Sequence, residues 1–250
     1  IFMSKSINIF GFHSIESLLK TNPESIIKVF VQINRKDKRA NDLINILTSQ
    51  KITFSPTDRN DLDRMAKGEV HQGVISEVIL PPLLNEESLL KSISDNTSNS
   101  LILVLDSIQD PRNLGACLRS ANAAGVDYVV INKDGSAPIN ALVHKTSAGA
   151  INSLKIFHVT NLSRAIVNMQ KRGVWVIGMV GTSKSTIYDV NLTDATAIVM
   201  GSEGKGVRRL IKETCDQIVT IPMSGNIESL NVSVATGIAL FESKRQREST

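Results

Sequence analysis

The sequence predicts an α/β protein of two domains, the second of which is built on an open, largely parallel sheet. Two observations support this prediction. From residue 101 onward, short apolar runs of strand character alternate with segments of helical periodicity, which is the pattern of successive βα units. Ahead of that region lies a smaller block with its own strand and helix signals, and a Pro-Pro pair followed by a polar stretch separates the two.

The first block, residues 4–80, has the pattern of a small α/β unit. Phe10-Gly11 leads into helical periodicity that ends near Lys20, and β-branched residues at 26–33 predict a strand. Further along, helical spacing covers 42–50, and strand patterns cover 52–54 and 73–79. Residues 81–98 are rich in Pro, Ser, Asn and Asp and predict a linker, interrupted by a short helix around 86–93.

The second domain, residues 99–250, opens with the apolar run LILVL at 101–105, which suits a strand buried on both faces of a parallel sheet. Further strands are predicted at 128–131, 175–178, 198–200 and 218–221, and helices at 114–124, 162–171, 207–214 and 232–247. Open sheets of this kind bind ligands beyond the carboxyl ends of their strands. Polar residues that directly follow a strand are therefore the candidates for a site.

Composition narrows the class of protein. Apolar residues make up 42% of the chain, enough for a packed core, and the formal charge of +4 permits a polyanionic partner without requiring one. No apolar run approaches the roughly 18–20 residues of a membrane span, and no signal-peptide pattern is present. The histidines lack the spacing of metal ligands, so no metal is predicted. Cys117 and Cys215 are widely separated, which fits the reducing cytosol.

A first polar segment, DSIQDPRNLGACLR at 106–119, follows the strand at 101–105. Asp110-Pro111 predicts a turn, and Asn113 can cap the helix that follows. Arg119 lies less than two turns into that helix, where its guanidinium could hold a phosphate with two hydrogen bonds. The alternative is a capped surface helix with a solvated arginine.

Two further polar segments follow later strands. MGSEGKGVRR at 200–209 places three glycines and Glu203 after a buried strand, and it matches neither the Walker A nor the GxGxxG motif. Its glycines either let the backbone approach a ligand closely or form a flexible turn. IPMSGNIESLNVS at 221–233 brings Ser229, Leu230 and Asn231 to the start of the last helix, where they bind a ligand or only cap the helix. No Ser-His-Asp, Cys-His or paired-carboxylate arrangement competes with these segments.

Together, the three segments resemble the sequence motifs of the SpoU (TrmH-like) ribose methyltransferases. The match consists of Asn113-x-Gly115-x-x-x-Arg119, then IVMGSEGKGV, then IPMSGNIESLNVSVATG, in that order. GFHSIESLL near the start and VHQGVI at 70–75 extend the resemblance to the subgroup that methylates a guanosine 2'-hydroxyl in bacterial 23S rRNA. It covers nearly all of residues 6–248.

The resemblance implies a SPOUT fold, an open C-terminal α/β sheet with a deep trefoil knot, joined to a small N-terminal α/β RNA-binding domain. It also implies that S-adenosyl-L-methionine binds inside the knot, where Gly201, Ile221 and Leu230 line the site and the loop containing Met179 and Gly181 borders it. The implied partners are 23S rRNA and a second copy of the chain, a homodimer with the active site near its interface. Met179-Val180 stands where smaller residues are usual in this subgroup.

By the same resemblance the catalytic residues are Asn113, Arg119, Glu203, Ser229 and Asn231. The implied substrate is a guanosine in the peptidyl-transferase region. The sulfonium methyl group is already electrophilic, so the protein must align the ribose oxygen and help to remove its proton. The family assigns the base to Arg119, but a free guanidinium is a very weak acid and stays protonated in proteins. We therefore expect Arg119 to grip the phosphate beside the target ribose, and the proton to pass to water or to a neighbouring group.

Three other functions compete with this one. A methyltransferase for tRNA or another rRNA site is compatible with the motifs, although the N-terminal block favours the 23S rRNA subgroup. A ribosome assembly factor that binds RNA without catalysis is disfavoured by the complete set of motif residues. A nucleotide hydrolase is disfavoured because GSEGKG lacks the Lys-Ser/Thr step of a phosphate-binding loop and any Walker B partner.

Overall fold

A computed structural model describes residues 6–35, 37–79, 83–95, 99–227 and 229–249. It divides into two compact units, Ile1–Pro82 with Ile139–Ser153, and Leu83–Pro138 with Leu154–Thr250. The elements, in chain order, are β1 (Ser6–Phe10), α1 (Phe12–Thr21), β2 (Ile26–Gln32), α2 (Lys38–Ser49), β3 (Phe54–Thr57), α3 (Arg59–Ala66), β4 (Val74–Ile79), α4 (Glu86–Asp95), β5 (Leu101–Asp106), α5 (Pro111–Ala124), β6 (Tyr128–Asn132), α6 (Ala141–Thr146), β7 (Lys155–Val159), α7 (Leu162–Gln170), β8 (Trp175–Met179), β9 (Thr196–Gly201), α8 (Arg209–Thr214), β10 (Gln217–Val219) and α9 (Val232–Glu248).

The first unit is a four-stranded mixed sheet in the order β1-β4-β2-β3, in which only β2 and β3 run parallel. Alternation along β1 sends Ile9 to one face and Phe10 to the other. On the first face, α1 and α2 contribute to a core that contains Ile9, Ile15, Leu18, Val29, Leu43, Leu47 and Val74. On the second face, Phe10 packs with Leu62 and Ala66 of α3 and with Ala141 of α6.

The segment 139–153 belongs to this first unit, although it lies between two strands of the second. Asn140 caps α6 by accepting hydrogen bonds from the backbone of Leu142 and Val143. The Lys145 ammonium lies 3.0 Å from the Glu69 carboxylate, which fastens α6 to the unit. The periodicity of the sequence does not predict this excursion, because a six-residue helix between strands has the pattern of an ordinary crossover.

The second unit is a six-stranded, all-parallel sheet in the order β10-β8-β9-β5-β6-β7. Every residue of the central strand β5 is buried, as expected of a strand covered on both faces. On one face, α4, α7 and α8 contribute Leu89, Ile93, Ile166, Met169 and Ile211 to the core. α5 and α9 pack against each other, and α9 also contacts β9. The predicted α/β architecture with an open parallel sheet is confirmed.

Several local predictions differ from the structure. The strand predicted at 218–221 ends at Val219, and the one predicted at 52–54 starts at Phe54 and continues to Thr57. β1, β7, α3 and α6 are not predicted. The two strands have only five residues and no regular alternation, α6 has six residues, and α3 buries only Leu62 and Ala66. In the region predicted as a linker, α4 packs Leu89 and Ile93 into the core, whereas Pro81-Pro82 lies outside the described residues.

Candidate active site at the carboxyl edge of the larger sheet

Three distant segments of the second unit meet beyond the carboxyl ends of β5, β8 and β9. Because β5 and β9 are parallel neighbours with Asp106 opposite Gly201, the loops that leave these strands start side by side. A cavity of about 480 Å³ opens there, within the range of roughly 300–1,000 Å³ typical of small-molecule sites. Its lining comes from residues 179–181, 200–207, 220–221, 223, 229–232 and 235, together with Lys212.

All five residues named for cofactor binding line this cavity: Met179, Gly181, Gly201, Ile221 and Leu230. Of the residues named as catalytic, Glu203, Ser229 and Asn231 also line it. Asn113 joins them through hydrogen bonds. Met200, Thr220 and Val232 line the cavity as well and were not predicted. Their position at the end of a strand or the start of a helix is the signal that could have identified them.

A chain of hydrogen bonds links the three segments. The Asn113 amide nitrogen donates to the Glu203 carboxylate, and the Asn231 amide nitrogen donates to the Asn113 side-chain oxygen at 3.1 Å. The Asn231 oxygen meanwhile accepts from the backbone N–H of Ser233 at 2.9 Å and so caps α9. The Asn231 side chain thus caps α9 and also lines the cavity, so its capping role does not exclude the predicted site role.

Asn113 does not cap its helix, contrary to the prediction. α5 begins at Pro111, and the cap is Asp110, whose carboxylate accepts from the backbone N–H of Arg112 at 2.7 Å. Proline suits the first helical position because it needs no hydrogen-bond acceptor there, and aspartate is a preferred cap. With the cap supplied by Asp110, the Asn113 amide is free to bond both Glu203 and Asn231.

The glycine-rich loop, residues 201–207, is folded tightly against itself. The Gly206 N–H donates to the Ser202 carbonyl at 2.7 Å. A Cβ at position 201 would lie 2.0 Å from both the Gly206 carbonyl carbon and the Val207 nitrogen, so no larger residue fits. Gly204 and Gly206 have φ angles of +76° and +64°, in the region that favours glycine. The three glycines therefore form a tight turn rather than a flexible one.

The opposite wall of the cavity is held by backbone hydrogen bonds across two loops. The Thr220 N–H donates to the Ser185 carbonyl at 3.0 Å, and the Ile187 N–H donates to the Thr220 carbonyl at 2.9 Å. The Thr220 hydroxyl donates to the Gly181 carbonyl at 3.0 Å. These bonds hold residues 181 and 220 side by side and so fix this part of the cavity wall.

This donor set fits S-adenosyl-L-methionine. Apolar side chains, among them Met179, Ile221 and Leu230, suit an adenine ring, and the tight turn at Gly201 leaves main-chain groups in the cavity wall. Glu203 supplies a carboxylate that favours a cationic group, while Lys205 and Lys212 in the same lining favour an anionic one. Among the described residues, no cluster of three or more His, Cys, Asp or Glu side chains could hold a metal ion.

Arg119 stands apart from the hydrogen-bonded chain. It lies on α5, six residues after Asn113, and its side chain is exposed. Within the described part of the chain, no hydrogen bond or ion pair engages its guanidinium. The neighbouring Cys117 is no nucleophile, because burial raises the pKa of its thiol to about 11 and the thiol faces the Thr236 hydroxyl at 3.4 Å. The exposed arginine is thus available to an external anion.

None of the helices in the described ranges has the length and apolar content needed to cross a bilayer.

Comparisons with known proteins agree with the motifs and the fold. A model of the SpoU rRNA Methylase family matches residues 100–241, and a model for RNA 2'-O ribose methyltransferase substrate binding matches residues 8–82. The chain is 46% identical to the 23S rRNA (guanosine-2'-O-)-methyltransferase RlmB of Haemophilus ducreyi, over 97% of this chain and 98% of that one. It is 44% identical to the protein of the same name from Escherichia coli K12, over 96% and 98% of the two chains.

Among solved structures, the fold is similar to that of the SpoU methyltransferase AviRb from Streptomyces viridochromogenes in complex with the cofactor AdoMet. The TM-score is 0.81 at 21% identity, and the match covers 98% of this chain and 92% of that one. At that identity the likeness concerns the fold alone. The extent of the family-model match and of the sequence identity establishes that this chain belongs to the SpoU rRNA methylase family.

Proposed function

We propose that this protein transfers a methyl group from S-adenosyl-L-methionine to the ribose 2'-hydroxyl of a guanosine in the peptidyl-transferase region of 23S rRNA. The observation that carries the proposal is the convergence of Asn113, Glu203 and Asn231, from three distant segments, beside one cavity. The names of the relatives at 44–48% identity support both the reaction and the RNA.

The residues that would hold S-adenosyl-L-methionine are Met179, Gly181, Gly201, Ile221 and Leu230. When bound, this cofactor supplies an electrophilic methyl group on a sulfonium centre. The turn at Gly201 and the loops fixed around Thr220 provide a preformed wall, so little conformational freedom is lost on binding. Main-chain groups and apolar side chains dominate this wall, which suits a neutral adenosine moiety.

The hydrogen-bonded side chains would orient the ribose hydroxyl. Glu203 is exposed and accepts a bond from Asn113, so its carboxylate can also accept a bond from an incoming hydroxyl. Ser229 and Asn231 lie beside it at the start of α9. Holding the oxygen in line with the reacting methyl turns a bimolecular encounter into an oriented one, which is a large part of the rate enhancement available to such an enzyme.

Arg119 would bind the phosphate next to the target ribose. A guanidinium is a planar cation with paired donors suited to phosphate oxygens. The exposed side chain supports this role, and the proton of the hydroxyl would leave to water or to a neighbouring group as the new bond forms. Arg119 therefore acts on the substrate without serving as the base.

The remaining assignments concern the domains, the knot and the partners. Residues 4–80 would bind RNA and 99–250 would carry catalysis, with 81–98 between them. A knot is supported by the way the chain at Thr220 bonds to the loop at 185–187 before α9 packs on α5. A homodimer is supported by α9, which leaves Val234 and Phe241 about half exposed on one side of the helix, two turns apart. A cytoplasmic location is supported by the two free cysteines, Cys117 and Cys215, which fit a reducing compartment.

The decisive experiment maps 2'-O-methyl groups on rRNA from cells with and without this protein. We expect one guanosine of 23S rRNA to lose its methyl group when the protein is absent. Purified protein should restore the mark on isolated 23S rRNA and leave tRNA unmodified. A mark on tRNA would favour the tRNA enzyme instead, and failure to bind S-adenosyl-L-methionine in calorimetry would favour an assembly factor without catalysis.

A further inference from the structure

We propose that Asp106 and Arg208 form a pair of positioning residues that holds Glu203 and Asn113 in register for catalysis. The inference rests on the proposed function, because it concerns the same site. Neither residue lines the cavity. Both lie directly behind it, one at the end of β5 and the other just after the glycine-rich loop.

The Asp106 carboxylate is fully buried and has donors on both oxygens. The Arg208 backbone N–H donates to Oδ2 at 2.9 Å, and the Arg208 Nε donates to Oδ1 at 2.7 Å. The terminal guanidinium nitrogen of Arg208 lies 2.7 Å from the same Oδ1, and the Ser107 hydroxyl donates to it at 3.2 Å. Charge-assisted bonds of this kind are the strong ones, especially when water is excluded from one partner.

The same two chain segments are thus joined twice. Asp106 precedes Asn113 by seven residues, and Arg208 follows Glu203 by five. The first junction, between Asn113 and Glu203, is a single bond between side chains that water reaches. The second is a buried carboxylate bound by one residue through its backbone and its side chain. The exposed junction alone is weak, so the buried one must set where Glu203 points.

The end of β5 is also fixed from its other side. The Asn132 side chain is buried at the end of β6, and its oxygen accepts from the Ser107 N–H at 2.8 Å. Ser107 has a φ of +62°, a conformation unusual for a residue other than glycine. Such a conformation persists where the surrounding contacts over-determine it. The backbone at 106–107 is therefore a rigid base against which Arg208 can hold the loop.

This arrangement predicts a separation between turnover and cofactor binding. More than half of the residues that line the cavity lie at 179–181, 220–221, 223, 229–232 and 235, and none of these has a described hydrogen bond to Asp106 or Arg208. Loosening the pair should shift Glu203 relative to Asn113 and lower kcat. Because the rest of the wall is untouched, the affinity for S-adenosyl-L-methionine should change little.

The experiment compares Asp106→Asn, Arg208→Met and Arg208→Lys with the full-length wild type. Arg209→Met is the matched control. It removes the same charge at the next position along the chain, where the Arg209 side chain is 89% exposed. We expect kcat to fall about 30- to 100-fold in Asp106→Asn and Arg208→Met, the scale of a misplacement near 1 Å. Arg208→Lys should recover part of the loss, and Arg209→Met should stay within about twofold of wild type.

Cofactor affinity, measured by calorimetry with S-adenosyl-L-methionine alone, should stay within about threefold in all four variants, and circular dichroism should verify that each is folded at the assay temperature. If Asp106→Asn does not fold, the comparison of Arg208→Met with Arg208→Lys carries the test, since both keep the backbone bond to Asp106.

Unchanged kcat in folded variants would overturn the inference. So would a defect confined to the KM for RNA in the Arg208 variants, which would make Arg208 a phosphate contact, and so would a parallel loss of cofactor binding. A wild-type protein that binds the cofactor but methylates no RNA would refute the proposed function instead, which keeps the two failures distinct.

Discussion

Asp106 and His144 are both ionisable and both removed from solvent, with 0% and 2% of their surface exposed, but their surroundings differ. Asp106, in the second unit, has donors on both carboxylate oxygens. His144, on α6 in the first unit, has a ring whose two nitrogens lack any hydrogen-bond partner among the described residues. Burial lowers the pKa of His144 to about 4. The carboxylate of Asp106 is thus held by directional bonds, whereas burial favours the neutral form of the His144 imidazole.

The difference indicates where each region tolerates change. At the carboxyl edge of the larger sheet, a buried ion pair and close backbone contacts fix the geometry of a site. Adding even one carbon atom there should disturb that geometry. On α6, the neutral ring of His144 fills space without directional bonds. This region should therefore tolerate replacement of His144 by an apolar residue, whereas protonation of the ring should destabilise it. Four predictions follow from this contrast.

The largest effect is expected at Gly201. In Gly201→Ala the new Cβ would fall 2.0 Å from backbone atoms of Gly206 and Val207, so the glycine-rich loop must move away from β9. We expect affinity for S-adenosyl-L-methionine, measured by calorimetry, to drop at least about 100-fold. Gly225→Ala is the control, because a Cβ there meets no atom within 4 Å. Wild-type affinity in Gly201→Ala would contradict the tight packing of this edge.

The second prediction concerns stability in acid. The pKa of His144 is lowered to about 4 by burial, whereas the unfolded chain has a histidine pKa of about 6.5. The unfolded state therefore binds the extra proton between these values, and stability should fall as pH drops from about 6.5 to 4. The decrease in the free energy of unfolding that is due to His144 is on the order of 3 kcal/mol.

Hydrogen exchange of α6 amides across that pH range measures this loss. His144→Leu should abolish the loss of stability between about pH 6.5 and 4. At pH 8 its stability should stay near that of the wild type, because no hydrogen bond of the ring is lost. His13→Leu, which alters a side chain that is 80% exposed, should leave the loss in acid unchanged. Retention of the full acid sensitivity in His144→Leu would assign it to other groups.

The third prediction concerns the contribution of the Asp106–Arg208 pair to the stability of the fold. Arg208→Met leaves the buried carboxylate of Asp106 with only the backbone N–H of residue 208 and the Ser107 hydroxyl. Removing one partner of a buried ion pair is strongly destabilising, but the Arg208 side chain is half exposed. We therefore expect the free energy of unfolding, measured with urea, to fall by about 2 kcal/mol. Arg209→Met should lose at most about 0.5 kcal/mol. Equal losses in both would show that Asp106 gains little from its guanidinium partner.

The sequence could predict those features that depend on local pattern. The apolar run of β5 indicated a strand covered on both faces, and the motif residues Gly201, Glu203 and Asn231 lie at one cavity. Long-range features could not be predicted from pattern. Which residue caps α5 depends on the exact helix start, and the pairing of Asp106 with Arg208 joins positions that are 102 residues apart. The excursion of 139–153 to the first unit depends likewise on tertiary packing.

The smallest effect is expected at Arg119, whose guanidinium is exposed and has no described partner. Arg119→Lys keeps the positive charge but loses the planar pair of donors that suits a phosphate. We expect kcat/KM for rRNA to fall about 10-fold, mainly through KM, by the same factor at every pH from 6 to 9. A residue acting as the base would instead change the shape of the pH profile, because lysine loses its proton more easily than arginine. Full activity in Arg119→Lys would rule out the bidentate contact, whereas a shifted pH profile would return the role of base to this position.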